Sequence, residues 1–172
     1  MHLTLGSDVT LSFAAAPVTS AVLQAVENWP GEPVVLDPRS YPSAAARKRA
    51  AFRAADVALA ASGTVSLELA AAATPMVVAY DMSWLSWQIM SRMAKIDTIT
   101  LVNLVTGRKA VPEFLGPDCT PENAGTALSA LLTNDADRAT QVTAMEETMA
   151  TLGRGGEPPG MRAARSVLEF LG

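Results

Sequence analysis

The sequence predicts an α/β fold: a doubly wound parallel sheet, Rossmann-like, with further helices at its C-terminal end. Three observations carry that expectation. Short apolar segments alternate with amphipathic ones along most of the chain, the strand–helix–strand order of a parallel sheet covered on both faces. Two segments, Val57-Ala58-Leu59-Ala60-Ala61 and Met76-Val77-Val78-Ala79-Tyr80, are continuously apolar, as strands buried on both faces are. From Thr120 onward the apolar spacing is helical and strand patterning stops.

Taken in order, Val9, Leu11 and Phe13 alternate with Thr10 and Ser12, the period of a strand. Pro17 suits a first helical turn, and Val22, Val26 and Trp29 recur at helical spacing up to Pro30-Gly31. Val34-Val35-Leu36 reads as a short buried strand closed by Asp37-Pro38. Pro42 leads into a helix over 44–55, whose Arg47, Lys48, Arg49 and Arg53 make a solvated basic face. After the strand at 57–61, Ser62-Gly63-Thr64 breaks the run, and Val65 to Ala73 reads as a helix ended by Thr74-Pro75. The strand at 76–80 follows, then a helix from a Ser83 cap to about Lys95.

Thr98-Ile99-Thr100-Leu101-Val102 reads as another strand, and 103–116 as loop with one turn of helix. Thr120-Pro121-Glu122 opens a helix with a capping residue, a proline at the first helical position and a first-turn acid. Asp135 is expected to cap the next helix, which ends near Gly153. The expected organisation is one domain over 1–153, a Gly/Pro-rich linker over 154–160 and a C-terminal amphipathic helix over 161–172.

Composition narrows the chemistry. The 172 residues are 49% apolar and 17% charged with a net charge of -4, the profile of a soluble globular chain and a poor match to a phosphate backbone. Nucleic acid is therefore not an expected partner. Cys119 is the only cysteine and His2 the only histidine, which excludes an intrachain disulfide, a zinc site and a histidine-based triad. Catalysis would have to run on carboxylates, amides and backbone dipoles. No stretch reaches the roughly 18 apolar residues that span a bilayer. Residues 11–16 loosely resemble a signal peptide but lack a basic start, and Asp8 interrupts the early apolar run, so the expected compartment is the cytoplasm.

The candidate site is Ser62-Gly63-Thr64 with Glu68. The turn sits at the carboxyl end of a strand, where open parallel sheets bind ligands, and just before a helix. Orphan N–H groups and the macrodipole favour an anion at a helix start, and glycine permits close approach. Glu68 falls one turn on and on the same face, where a carboxylate can accept from a ribose diol. The alternative is a simple N-cap with Glu68 solvated. Neither a Walker lysine pattern nor a dinucleotide glycine triplet is present, which argues against ATP in a P-loop and against NAD. The segment Met82, Trp84, Leu85, Trp87, Ile89, Met90, Met93 reads as a helix packed on the sheet, with a membrane interface or acyl chain as its alternative. Asp135-Ala136-Asp137 imitates an acidic metal motif, but its position at a helix start explains it as capping, and no metal site is expected.

Two groups of motifs carry a resemblance. Ala60-Ala61-Ser62-Gly63-Thr64-Val65-Ser66-Leu67-Glu68-Leu69-Ala70, then Thr74-Pro75-Met76-Val77-Val78-Ala79-Tyr80, resembles the donor-binding half of GT-B glycosyltransferases. Thr100-Leu101-Val102-Asn103-Leu104-Val105, Gly107-Arg108, Val111-Pro112-Glu113-Phe114-Leu115 and Cys119-Thr120-Pro121-Glu122-Asn123 are similar to the signature of lipid-A-disaccharide synthases. The similarity runs from about Ala55 to the C-terminus.

That resemblance implies transfer of a diacylated glucosamine from UDP to the 6-hydroxyl of a diacylglucosamine 1-phosphate. By position, Ser62, Gly63 and Thr64 would meet the diphosphate and Glu68 the ribose. Asn103 would be an amide at the active-site cleft and Arg108 a balance to pyrophosphate charge; the alternatives are an Asn satisfying its own backbone and a surface Arg. The implied partners are a UDP-sugar donor and a lipid acceptor, with peripheral contact to the inner membrane and no cofactor. The general base would lie in an N-terminal domain without counterpart here, and that domain or a second copy is an implied partner. Asp81 replaces an arginine common in the family, and a first strand with its glycine-serine-arginine loop is missing, which would expose a sheet edge. The competing functions are a non-catalytic nucleotide-sugar-binding fragment and another GT-B enzyme such as a UDP-sugar epimerase.

Overall fold

The computed structural model describes residues 10–12, 19–29, 34–36, 43–61, 64–93 and 98–171. The chain forms two compact units, Met1–Ala55 and Asp56–Gly172. In the first, β1 (Thr10–Ser12) and β2 (Val34–Leu36) pair in parallel with Leu11 opposite Val35. Helix α1 (Thr19–Val26) lies between them in sequence, and α2 (Ala44–Ala54) follows.

The second unit is built on three parallel strands in the order β3 (Ala58–Ala60), β4 (Met76–Tyr80), β5 (Glu113–Leu115). Ala58 faces Met76 and Val78 faces Glu113 across the ladders. Met76, Val77 and Val78 are all completely buried. Successive strand residues point to opposite faces, so β4 is covered on both sides, as its unbroken apolar run predicts. Helix α3 (Thr64–Ala72) connects β3 to β4 and packs on both, and α6 (Pro121–Thr133) also packs on both strands. Helix α7 (Asp135–Thr151) packs on α3, α6 and the short α5 (Leu101–Thr106). Leu69, Val102, Val111, Leu131 and Met145 complete this core.

The parallel α/β class is therefore present, with the strands of the described residues divided between two sheets. One strand expectation is overturned. Residues 98–100 belong to no strand, and 101–106 are helical; the strand beside β4 is 113–115, in a segment expected to be loop. The cause is Glu113. Its carboxylate accepts from the hydroxyl of Thr98 (2.7 Å) and from the N–H groups of Ile99 (3.2 Å) and Thr100 (2.6 Å), donors that a neighbouring strand would otherwise use. Gly107, left-handed at φ 65°, then closes α5.

The start of α7 is also shifted by one residue. Asn134, not Asp135, is the cap: its side chain accepts from the N–H groups of Ala136 (3.0 Å) and Asp137 (3.3 Å). The same residue ends α6 through its own N–H to Ala130 O at 2.8 Å. Asp135 instead pairs with Arg138. The expected Thr120 cap of α6 and the Ser83 cap of α4 (Trp84–Met93) are both made.

The segment expected to pack α4 wholly on the sheet is split, because Trp84 and Ile89 are exposed while Trp87 turns inward. The last helix, α8 (Pro159–Leu171), is tied down by its polar side: Arg162 donates to Leu152 O at 2.7 Å and Arg165 pairs with Glu157. Its Met161, Val167, Leu168, Phe170 and Leu171 are exposed.

Two substitutions test this packing. Gln141 on α7 is buried; it accepts from Met76 N and donates to Ala110 O at 3.2 Å, pinning the start of β4 to the turn before β5. Gln141→Leu keeps the volume and orphans both backbone groups, so urea unfolding should show a loss of roughly 1–3 kcal/mol with an unchanged m-value. Ala73 follows α3 in the left-handed region at φ 58°, with Thr74 N donating to Leu69 O at 3.0 Å. The left-handed region costs a non-glycine residue about 1–2 kcal/mol, and glycine's extra unfolded-state entropy offsets about 0.4–1 kcal/mol of that. Ala73→Gly should therefore raise stability by up to about 1 kcal/mol in the same titration.

Candidate functional site

The strand-to-helix turn is the first place to look. Ser62 and Gly63 lie outside the described residues. Thr64 is the first residue of α3 and is exposed. Glu68 lies one turn on and is half-buried. Glu68 also has an interaction within the chain. Helix α3 packs against α5, which sets the helix carrying Thr64 and Glu68 beside the helix carrying Asn103.

Asn103 is 3% exposed, and both ends of its amide are committed. Its Nδ2–H donates to Val111 O at 2.9 Å, and Val111 N–H donates to its Oδ1 at 2.8 Å. The amide thus pairs with one residue as a neighbouring strand would, closing the turn from α5 to β5. Together with the Glu113 bonds to 98–100, this makes a double clamp. One side chain fixes the entry to α5 and the other fixes its exit. Arg108, just past α5, pairs with Glu147 of α7; both side chains are about half exposed (53% and 51%), so the pair contributes no more than about 1 kcal/mol. That contact directs the guanidinium toward α7.

Beside β5 is a cavity of about 270 Å³ lined by Trp87, Asn103, Lys109, Val111, Pro112, Glu113, Leu115 and Asp118. Gly116 shapes its wall. At φ +53° a Cβ on Gly116 would fall 2.6 Å from the Trp87 ring, so the indole rests directly on backbone. The sequence reading missed three of these contributors. Glu113 could have been suspected as the one acid inside Val111-Pro112-Glu113-Phe114-Leu115. Gln141 shares the core spacing of Ala144, Met145 and Thr148, which marks it as a buried amide. The Trp87–Gly116 contact joins positions far apart in sequence and leaves no local pattern.

Among the described residues no group of three or more His, Cys, Asp or Glu could hold a metal ion. Asp137 of the acidic segment accepts instead from Asn134 Nδ2 at 2.8 Å.

The clamp makes a specific prediction. Asn103→Ala removes both bonds to Val111 and leaves its buried N–H and C=O without partners. It should cost roughly 1–3 kcal/mol and speed hydrogen exchange at the Val111 amide well before global unfolding. An unchanged exchange rate there would show that the clamp carries no local stability.

Comparison with known proteins agrees with this reading of the fold. The family model described as lipid-A-disaccharide synthetase matches residues 40–158, well over half of the chain. The lipid-A-disaccharide synthase of Ruegeria pomeroyi is 60% identical over 156 residues, covering 90% of this chain and 38% of that protein. The corresponding synthase of Paramagnetospirillum magneticum is 41% identical over 157 residues, with the same two coverages. That of Anaeromyxobacter dehalogenans is 42% identical over 118 residues, or 69% of this chain and 30% of the relative. The match therefore spans 38% of the length of the first two relatives and 30% of the third. The chain belongs to the lipid-A-disaccharide synthetase family.

Proposed function

We propose that this chain is the donor-binding half of a glycosyltransferase of lipid A biosynthesis. It would hold UDP-diacylglucosamine while the sugar passes to a diacylglucosamine 1-phosphate acceptor. The observation that carries this reading is the exposed Thr64 at the start of α3, which follows β3, with Glu68 one turn on and α5 alongside. Ser62, Gly63 and Thr64 would receive the diphosphate on orphan N–H groups, and Glu68 would accept from the ribose. Residues 1–153 would form the donor domain and 154–160 the link to the C-terminal helix.

The mechanism follows from what such a site supplies. A departing UDP gains negative charge, and a preorganised helix start stabilises that charge without a proton transfer. Positioning the donor against the acceptor lowers the barrier further. Arg108 would add charge balance once its pair with Glu147 is exchanged for the diphosphate. Asn103 would act mainly by holding α5 and β5 in register, with its cavity-facing side at the cleft. No helix among the described residues is long and apolar enough to cross a membrane; the lipid acceptor would be met by peripheral contact with the membrane surface.

The test is titration of UDP into the ¹⁵N-labelled chain. Saturable shifts should centre on the amides of 62–68, and Glu68→Ala should weaken binding at least about tenfold, the scale of a lost hydrogen bond to a charged group. Shifts confined to the far side of α7 or to α8 would sink the assignment.

A further inference from the structure

The cavity beside β5 has a division of labour among its polar groups. The Asn103 amide is spent on Val111, and the Glu113 carboxylate on Thr98, Ile99 and Thr100. Lys109 is engaged within the chain as well. Two polar groups are not: among the described residues, nothing hydrogen-bonds the Asp118 carboxylate or the indole N–H of Trp87.

Trp87 is a half-buried aromatic. Its own N–H on the backbone donates to Ser83 O at 2.9 Å within the first turn of α4. Gly116 supplies a flat seat that any side chain would fill. The rest of the ring borders a space of about 270 Å³, just below the roughly 300–1,000 Å³ typical of pockets for drug-sized ligands. That is the scale of one sugar ring, not of a nucleoside diphosphate.

A rigid aromatic face next to an uncommitted carboxylate has a definite chemical preference. The π face is negative and attracts the weakly positive C–H face of a pyranose, while the carboxylate accepts charge-assisted bonds from its hydroxyl or amide groups. We propose that this cavity is a pyranose subsite, with Trp87 as the stacking face and Asp118 as the acceptor. Gly116 is its positioning residue, since it sets the plane of the indole. The subsite rests on the proposed glycosyl-transfer reading only for the identity of the sugar, which would be the hexosamine of the donor or of the acceptor.

The experiment is a titration of N-acetylglucosamine into the full chain labelled with ¹⁵N-tryptophan, read at the three indole N–H signals. Trp87 should shift saturably while Trp29 and Trp84, both exposed, stay in place. Asp118→Asn, at an exposed position, should retain the fold and raise the dissociation constant about tenfold. An unmoved Trp87, equal shifts at all three indoles, or wild-type affinity in Asp118→Asn would each overturn the proposal. UDP titrated in parallel separates the two claims. A sugar response at Trp87 with no UDP response at 62–68 supports the subsite and sinks the nucleotide cradle. The reverse pattern sinks the subsite alone.

Discussion

Complete burial of Met76, Val77 and Val78 constrains everything around β4. A strand covered on both faces gives water no access, so the polar backbone groups near it must find partners within the chain. The ladders supply part of the answer: Ala58 N donates to Pro75 O at 2.8 Å and Val78 N to Pro112 O at 2.9 Å. Side chains supply the rest. Gln141 reaches from α7 to Met76 N, Glu113 gathers the donors of 98–100, and Asn103 pairs with Val111. Each such bond adds only about 0.5–1.5 kcal/mol when made, but an orphaned partner costs about 1–3 kcal/mol. Their effect is therefore to exclude other arrangements of α5, β5 and α7 more than to add net stability. One buried hydroxyl, Thr100 Oγ1, stays outside this network.

That network also explains which parts of the structure were legible beforehand. Strand β4 announces itself because five apolar residues in a row suit little else between a Thr-Pro stop and a turn. Helices α6 and α7 announce themselves through caps, and the one-residue error at Asn134 arose because two adjacent residues are both good capping types. The segment 98–102 was misread for a different reason. Its β-branched residues favour a strand, but its donors are taken by an acid more than ten residues away, and Leu101 to Thr106 pack as a helix against α3 and α7. Tertiary contacts outweighed local propensity. Strand β5 was hidden because Pro112 and Gly116 flank only three residues.

The candidate site shows the same contrast at the level of single residues. A turn followed by an acid at helical spacing is a local pattern, so Thr64 and Glu68 could be nominated from sequence and fall where the pattern puts them, at the start of α3 and one turn on. Asn103 and Arg108 could be nominated by type, but their bonding partners lie 8 and 39 residues away. Residue type alone therefore left open whether each group was spent or available. Only the fold shows that both are paired, and that Asp118 is the uncommitted carboxylate of its cavity.

Glycosyl transfer from a nucleoside diphosphate makes two separate demands. The reaction needs stabilisation of a departing diphosphate and removal of a proton from the attacking hydroxyl, and these demand different kinds of group. The first needs fixed donors and a dipole, which a helix start provides whatever the protonation state. The second needs a base within hydrogen-bond reach of the hydroxyl, with its acceptor capacity unspent. Around α5 and β5 the carboxylate of Glu113 has been spent on holding the backbone. Asp118 stands exposed, and its carboxylate is a hydrogen-bond acceptor. Within residues 56–171, the half-buried acid of β5 therefore serves architecture, holding residues 98–100 in place.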